Sequence, residues 1–312
     1  MTMRIVLGGP STTVQDLGRR AQRDGVPECG AMDSHAARLA NLLVGNREDS
    51  AVLETTLAGP AVVFQRATAL ALGGGDFGAS LAGESIAPWH AVPVRAGATL
   101  TLGKAQRGCR ACIAIAGGID VPAVLGSRST FLPGRFGGFE GRALRAGDIV
   151  PLGDATMHPG RRALATALHP RYDSTIRLIA GEHLECLDDR SHEALFGDGL
   201  RVSARSDRMG YRLEGIALRL RAPLEMISTA VTIGTLQVTP SGEPILLMAD
   251  HQTTGGYPML GHVAAVDLGA VAQLRPGDPI RFTPISLDDA QRLYLEREHA
   301  LDVVRRALSF PA

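Results

Sequence analysis

Six polar segments, most of them beside glycines, hold the side chains of this 312-residue chain that could do chemistry. They are Thr12-Thr-Val-Gln-Asp-Leu-Gly-Arg19, Gly30-Ala-Met-Asp33, Glu54-Thr-Thr56, Gly126-Ser-Arg-Ser-Thr130 with Gly134-Arg-Phe-Gly-Gly-Phe-Glu140, Ser206-Asp-Arg-Met-Gly-Tyr-Arg212, and Asp250-His-Gln-Thr-Thr-Gly-Gly-Tyr-Pro258. The last is the richest. It follows an apolar run, Ile245 to Met248, and sets an acid, an imidazole, an amide and two hydroxyls in one strand-end loop. Asp250 and His251 are suited to act as base and carbonyl-polarising donor. The hydroxyls of Thr253 and Thr254 and the backbone amides of Gly255 and Gly256 are small donors for an oxyanion. Arg128 and Arg208 supply planar guanidiniums that could fork onto a substrate carboxylate or phosphate, which lysine could not do. The bland alternative is that these groups are turn caps and internal ion pairs, the preferred reading for Arg142 and Arg171.

Other patterns carry less. Gly73-Gly-Gly-Asp-Phe-Gly78 has the spacing of a dinucleotide-binding loop, but Pro88 follows too soon for the helix that would hold a pyrophosphate, so a glycine-rich turn is expected. Cys109-Arg-Ala-Cys112 lacks the second ligand pair of a structural zinc site and runs into the strand-like Ile113-Ala-Ile-Ala116. His90, His158, His169 and His183 are scattered, so no metal is expected. There is no phosphate-binding G-x-x-x-x-G-K-[ST], no G-x-S-x-G and no H-E-x-x-H. Lys104, the only lysine, lies in Gly-Lys-Ala rather than between methionines, so this chain cannot carry biotin covalently.

The elements that must position these groups read mainly as strands. Glycine (37) and proline (18) are abundant while aromatic residues are only 4%, which suggests tight turns between short strands. Strand-like segments are Ala61 to Phe64, Thr68 to Leu72, Thr99 to Leu102, Cys112 to Ala116, Thr175 to Ile179, Leu218 to Leu220 and Ile245 to Met248. A turn pattern recurs at Val94 to Leu100, Leu144 to Val150 and Leu274 to Ile280, each time Arg-x-Gly between strand-like arms. Helices are expected from His35 to Val44, capped by Asp33 or Ser34, near Ser191 to Phe196, and over residues 287 to 307 after Ser286. Two β-barrels in tandem fit this spacing, one over 1–165 and one over 166–312, with the hand-over in the segment from Ala155 to Tyr172. Lys plus Arg and Asp plus Glu number 32 each, which leaves no excess cation for nucleic acid. No stretch has the length of a signal core or a membrane span, so a cytoplasmic location is expected.

Taken together, the polar blocks resemble a known family over nearly the whole chain. Thr12 to Arg19, Gly25-Val-Pro27 with Gly30 to Asp33, Ala40-Asn-Leu-Leu-Val-Gly-Asn46, Ala116-Gly-Gly-Ile-Asp-Val-Pro122, Leu125 to Thr130, Gly137 to Arg142, Ser206 to Leu213 and Gln252 to Pro258 are similar to the family of 5-oxoprolinase C subunits. That family also carries the labels allophanate hydrolase subunit 2, biotin-dependent carboxyltransferase, and antagonist of a sporulation-kinase inhibitor. The resemblance implies a mainly β fold of tandem cyclophilin-like β-barrel domains with a few peripheral helices. It implies B and A subunits as partners and a small lactam as substrate. It further implies ATP bound in the assembled complex rather than by a phosphate-binding loop of this chain, and biotin, where used, on another chain. Because family blocks also cluster in the N-terminal half, it adds Arg19, Asp33 and Glu54 to the wall of the site. The implied activity is ATP-dependent opening of 5-oxoproline to glutamate. Carboxyl transfer to an amide or urea-like acceptor, and non-catalytic binding of a B-like regulator, stand as alternatives.

Overall fold

Strands dominate the computed structural model, which describes residues 2–155 and 160–309. By internal contacts the chain divides into a first unit of Met1–Arg20, Cys29–Arg171 and His299–Ala312 and a second of Ala21–Glu28 and Tyr172–Glu298. The long C-terminal helix, Leu287–Ser309, therefore begins in the second unit and ends in the first.

The first unit holds two six-stranded sheets. One runs in the order Ile149–Pro151, Thr2–Leu7, Ala61–Phe64, Thr99–Thr101, Ser80–Leu81, Glu84–Ser85; the other Arg162–Ala163, His90–Val94, Thr68–Asp76, Arg107–Ile115, Val52–Thr56, Thr12–Gln15. Their inner faces share one core: Met3, Ile5, Val62, Phe64 and Leu100 from the first sheet meet Leu53, Leu70, Leu72, Ile113 and Ile115 from the second. Alternation then turns Val52, Ala69, Ala71, Cys112 and Ala114 to the outer face of the second sheet. There they pack on Ala36, Leu39, Ala40 and Leu43 of the helix Ser34–Leu43, and on Leu301 and Val304 of the C-terminal helix. Both faces of the second sheet are buried, which is why Thr68–Asp76 reads as a nearly unbroken apolar run.

The second unit is a seven-stranded sheet in the order Arg201–Val202, Gly210–Glu214, Pro244–Leu247, Thr235–Val238, Met259–Val263, Thr175–Ala180, Arg281–Ile285. Its last two strands are parallel, the one parallel pair among the described residues. A separate two-stranded piece pairs Thr229–Ala230 with Thr254–Gly255.

The mainly β fold with peripheral helices is as expected. The helix of the N-terminal half starts where its capping signal placed it: the Asp33 carboxylate accepts from Ala36 N at 3.0 Å. Two readings are corrected. Gly73 to Asp76 is no turn but the end of strand Thr68–Asp76, and a Cβ at Gly73 would lie 2.7 Å from Ala36 O, so glycine lets the helix approach the sheet. Leu218 to Leu220 is not a strand; it makes only the isolated bridge Leu187↔Leu220. The recurrent turns repeat one hydrogen-bond scheme. Gly97, Gly147 and Gly277 donate to Phe64 O, Ile5 O and Val202 O, while the next residue donates back to Arg95 O, Arg145 O or Arg275 O. Lys104 is exposed and sits in an isolated antiparallel bridge with Ala58.

Candidate functional site

The predicted residues fall into two clusters, one in each unit. In the first unit the organiser is Asp16, to which the sequence pattern alone assigns no role. Asp16 Oδ1 accepts from Gly18 N at 2.8 Å and from the hydroxyls of Ser127 and Ser129, each at 2.6 Å, and Oδ2 accepts from Arg128 N at 2.5 Å. The carbonyl of Asp16 accepts from Ala31 N. One aspartate thus ties the loop Gly126–Thr130 to the segment that leads into Asp33. Its signal was local: an aspartate two residues before a glycine forms an Asx turn.

Around this hub, Glu54 lies in strand Val52–Thr56, 2% exposed, and accepts from Met32 N at 2.7 Å. Asp33, 1% exposed, is spent in part as the helix cap. Arg128 is half-exposed, donates to Val121 O at 2.9 Å and stands 3.6 Å from Asp120. Arg19, 1% exposed, donates to Ser129 O and lays its guanidinium over Phe136, 5.0 Å from the ring centre. Gln15, fully buried, donates to Thr130 O at 3.2 Å. Asp33 and Glu54, linked through Met32, and Arg19 and Arg128, linked through the Asp16 loop, are thereby brought into one polar cluster.

In the second unit, Arg208 and Asp250 are held together by backbone as well as side chains, since Asp250 N donates to Arg208 O at 2.8 Å. The two side chains form a buried fork, Nε to Oδ2 at 3.0 Å and Nη2 to Oδ1 at 2.8 Å. The fork expected for a substrate anion is made to a protein carboxylate. His251 is 2% exposed and its Nδ1 meets Gln252 O. A carbonyl only accepts, so Nδ1 carries the proton of the neutral ring and Nε2 keeps the lone pair; this favours base over donor. Thr254 and Gly256 are exposed and Thr253 partly so, whereas Gly255 is buried against the Gln237 amide, where a Cβ would lie 2.7 Å from Nε2. Gln237, 1% exposed, was not singled out from the sequence; it donates to Tyr257 O at 3.3 Å and props this loop.

Among the described residues no three His, Cys, Asp or Glu side chains gather as metal ligands. His90, His169 and His183 each bond to nearby backbone, and His158 lies outside the described residues. Arg142 pairs with Asp148 and Glu140, as its ion-pair reading required. A cavity of about 780 Å³, bordered by Ile86, His90, Arg95 and Arg162 among others, contains none of the predicted residues. No helix among the described residues is long and apolar enough to cross a membrane.

Residues 24–284 match the model of the carboxyltransferase domain, subdomains A and B, and the chain belongs to that family. Within it, the chain is similar to the 5-oxoprolinase C subunit of Haemophilus influenzae, with 39% identity over 295 residues, 94% of each chain. The 5-oxoprolinase C subunit of Escherichia coli is likewise 39% identical, over 92% of this chain and 93% of the relative. Among solved structures, the K. lactis urea amidolyase superposes with a TM-score of 0.91 at 33% identity, covering 97% of this chain and 20% of that one.

Proposed function

We propose that this chain is the C subunit of a heteromeric, ATP-dependent 5-oxoprolinase, which converts 5-oxo-L-proline, ATP and water to L-glutamate, ADP and phosphate. The observation that carries the reading is the 39% identity to 5-oxoprolinase C subunits over nearly the full length of both partners in the alignment. The chemistry is consistent with the cluster of the second unit. A five-membered lactam resists hydrolysis, and transfer of the γ-phosphoryl group to its carbonyl oxygen makes the ring carbon open to water. His251 Nε2 takes a proton from the water that adds to that carbon, and the ring C–N bond breaks as its nitrogen takes up a proton. A second water splits the resulting acyl phosphate into glutamate and phosphate, the Thr254 hydroxyl and the Gly256 amide meeting the charge that develops on the acyl oxygen. The B and A subunits supply what the motifs here lack, so the chain is inactive alone. It works in the cytoplasm, where ATP is at hand.

The experiment is reconstitution with B and A partners, following glutamate release and ATP consumption. Turnover only in the full assembly is expected; robust turnover by the isolated chain sinks the subunit reading. A second reading, carboxyl transfer from carboxybiotin on another chain to an amide or urea-like acceptor, draws on the 0.91 TM-score to a urea amidolyase. It requires carboxybiotin consumption in the same assay without glutamate release.

A further inference from the structure

The two six-stranded sheets of the first unit share an inner core, yet each ends in a two-residue strand with a free side, Glu84–Ser85 in the first and Arg162–Ala163 in the second. The cavity of about 780 Å³ opens between these edges, since all four residues border it. Its floor is apolar: Leu81, Ile86, Val92 and Ala98 border it and pack on the inner core. Hydrogen bonding fixes which backbone groups face outward. Ile86 N donates to Ala79 O and Leu164 N to Trp89 O, so by antiparallel alternation the N–H and C=O of Ser85 and of Ala163 point away from their own sheets. Such groups are a template for another strand. The rim is cationic. Arg95, Arg161 and Arg162 border the cavity against one carboxylate, Glu84, and none of the three guanidiniums has an ion pair or hydrogen bond among the described residues. In a chain whose charges balance, and where Arg142 and Arg208 are each held by an aspartate, this is charge left without a partner.

We propose that this groove docks an extended acidic segment of a partner protein, which adds as a strand to the Arg162–Ala163 edge. Its backbone pairs with the N–H and C=O of Ala163, apolar side chains at alternate positions lie on Leu81, Ile86, Val92 and Ala98, and the intervening carboxylates meet Arg95, Arg161 and Arg162. Floor, edge and charge together select this occupant. A basic segment is repelled by three guanidiniums. A small inorganic anion uses the guanidiniums but leaves the apolar floor and the free backbone groups uncovered. A helix satisfies its own backbone and leaves Ala163 unpaired. An edge of two residues makes few backbone bonds, so the arginines supply much of the affinity, which falls as salt screens them. Every residue invoked lies in the Cys29–Arg171 segment of the first unit, and none is shared with the His251 loop. The inference goes beyond the function proposed above and holds whichever reaction the assembly performs.

The probe is a blocked peptide of alternating glutamate and valine, about eight residues long, titrated into the full chain by calorimetry, with a peptide of alternating lysine and valine as control. The acidic peptide should bind at least about tenfold tighter than the basic one, lose affinity as salt rises, and slow amide exchange at Ala163. Equal affinities, no binding at millimolar peptide, or binding without protection of Ala163 overturns the proposal. Charge reversal by Arg95→Glu, Arg161→Glu and Arg162→Glu together should invert the preference between the two peptides. Ala163→Pro removes an N–H directed off the sheet, so it should weaken the acidic peptide by about tenfold with the melting temperature little changed. Should either variant fail to fold, the charge preference and the Ala163 protection in the unaltered chain decide. Inorganic triphosphate that binds tighter and displaces the peptide would make the groove a small-anion site. Self-association of the chain that charge reversal abolishes would make it a contact between copies. Either result overturns the proposed occupant.

Discussion

Arg208 and Asp250 lie on opposite sides of one backbone hydrogen bond and are joined again by two side-chain bonds, with the guanidinium 10% and the carboxylate 2% exposed. Removing either partner leaves the other charge buried. Asp250→Ala should lower the free energy of unfolding by roughly 3 to 5 kcal/mol, and the pair Arg208→Met with Asp250→Leu should recover a large part of it. Urea denaturation of the single and double variants checks this; additive losses would mean the fork contributes nothing as a pair.

His251 is expected to matter to turnover through Nε2 alone. His251→Asn keeps a donor for Gln252 O and lacks the distal nitrogen, so the assembled enzyme should lose at least about tenfold in kcat, roughly 1.4 kcal/mol, with its melting temperature nearly unchanged. A variant that melts early but keeps full kcat would make His251 a structural residue.

Asp148 provides a pH-dependent contribution to stability. The side-chain bonds from Arg142, Nη1 at 2.7 Å and Nη2 at 2.9 Å, together with Arg145 N, hold its carboxyl below the ordinary value of 3.8 against the opposing pull of burial. A carboxylate lowered in this way stabilises the fold above 3.8 and loses that contribution as pH falls through its folded-state value. Asp148→Asn should therefore cost stability at pH 7, and the deficit should shrink as pH is taken below about 4. Urea midpoints at the two pH values decide it; an equal deficit at both would place the effect in shape rather than charge.

Gly138 has φ +55°, and a Cβ there would lie 1.8 Å from Thr130 Oγ1, whose hydroxyl bonds Val14 O. Gly138→Ala should destabilise by at least about 1 to 3 kcal/mol through backbone strain and displacement of that hydroxyl. Thermal unfolding would show it, and an unshifted melting temperature would refute it.

The sequence disclosed what depends on local patterns. Periodicity and the Asp33 cap located the helix Ser34–Leu43, and Arg-x-Gly located three turns with a shared bonding scheme. The groups named for the site fall into two clusters, one in each unit, and their partners were hidden, because a guanidinium in a glycine-rich loop reads alike whether it faces a ligand or a residue 42 positions away, as Arg208 faces Asp250. Gln15, Asp16 and Gln237 were passed over for the same reason: only burial and long-range pairing separate a structural amide or acid from a surface one. Gly73 misled in the other direction, since what it accommodates is the carbonyl of Ala36, distant in sequence.

Lys104, exposed beside Ala58 and alone of its kind, gives the chain a single side-chain handle for amine chemistry. Apart from the α-amine, every amine-directed crosslink from this chain starts at that one point in the first unit, so each link mapped to Lys104 is a distance constraint of known origin. A dye placed there reports on assembly without heterogeneity, and a lysine-specific protease has one bond to cut, Lys104 to Ala105.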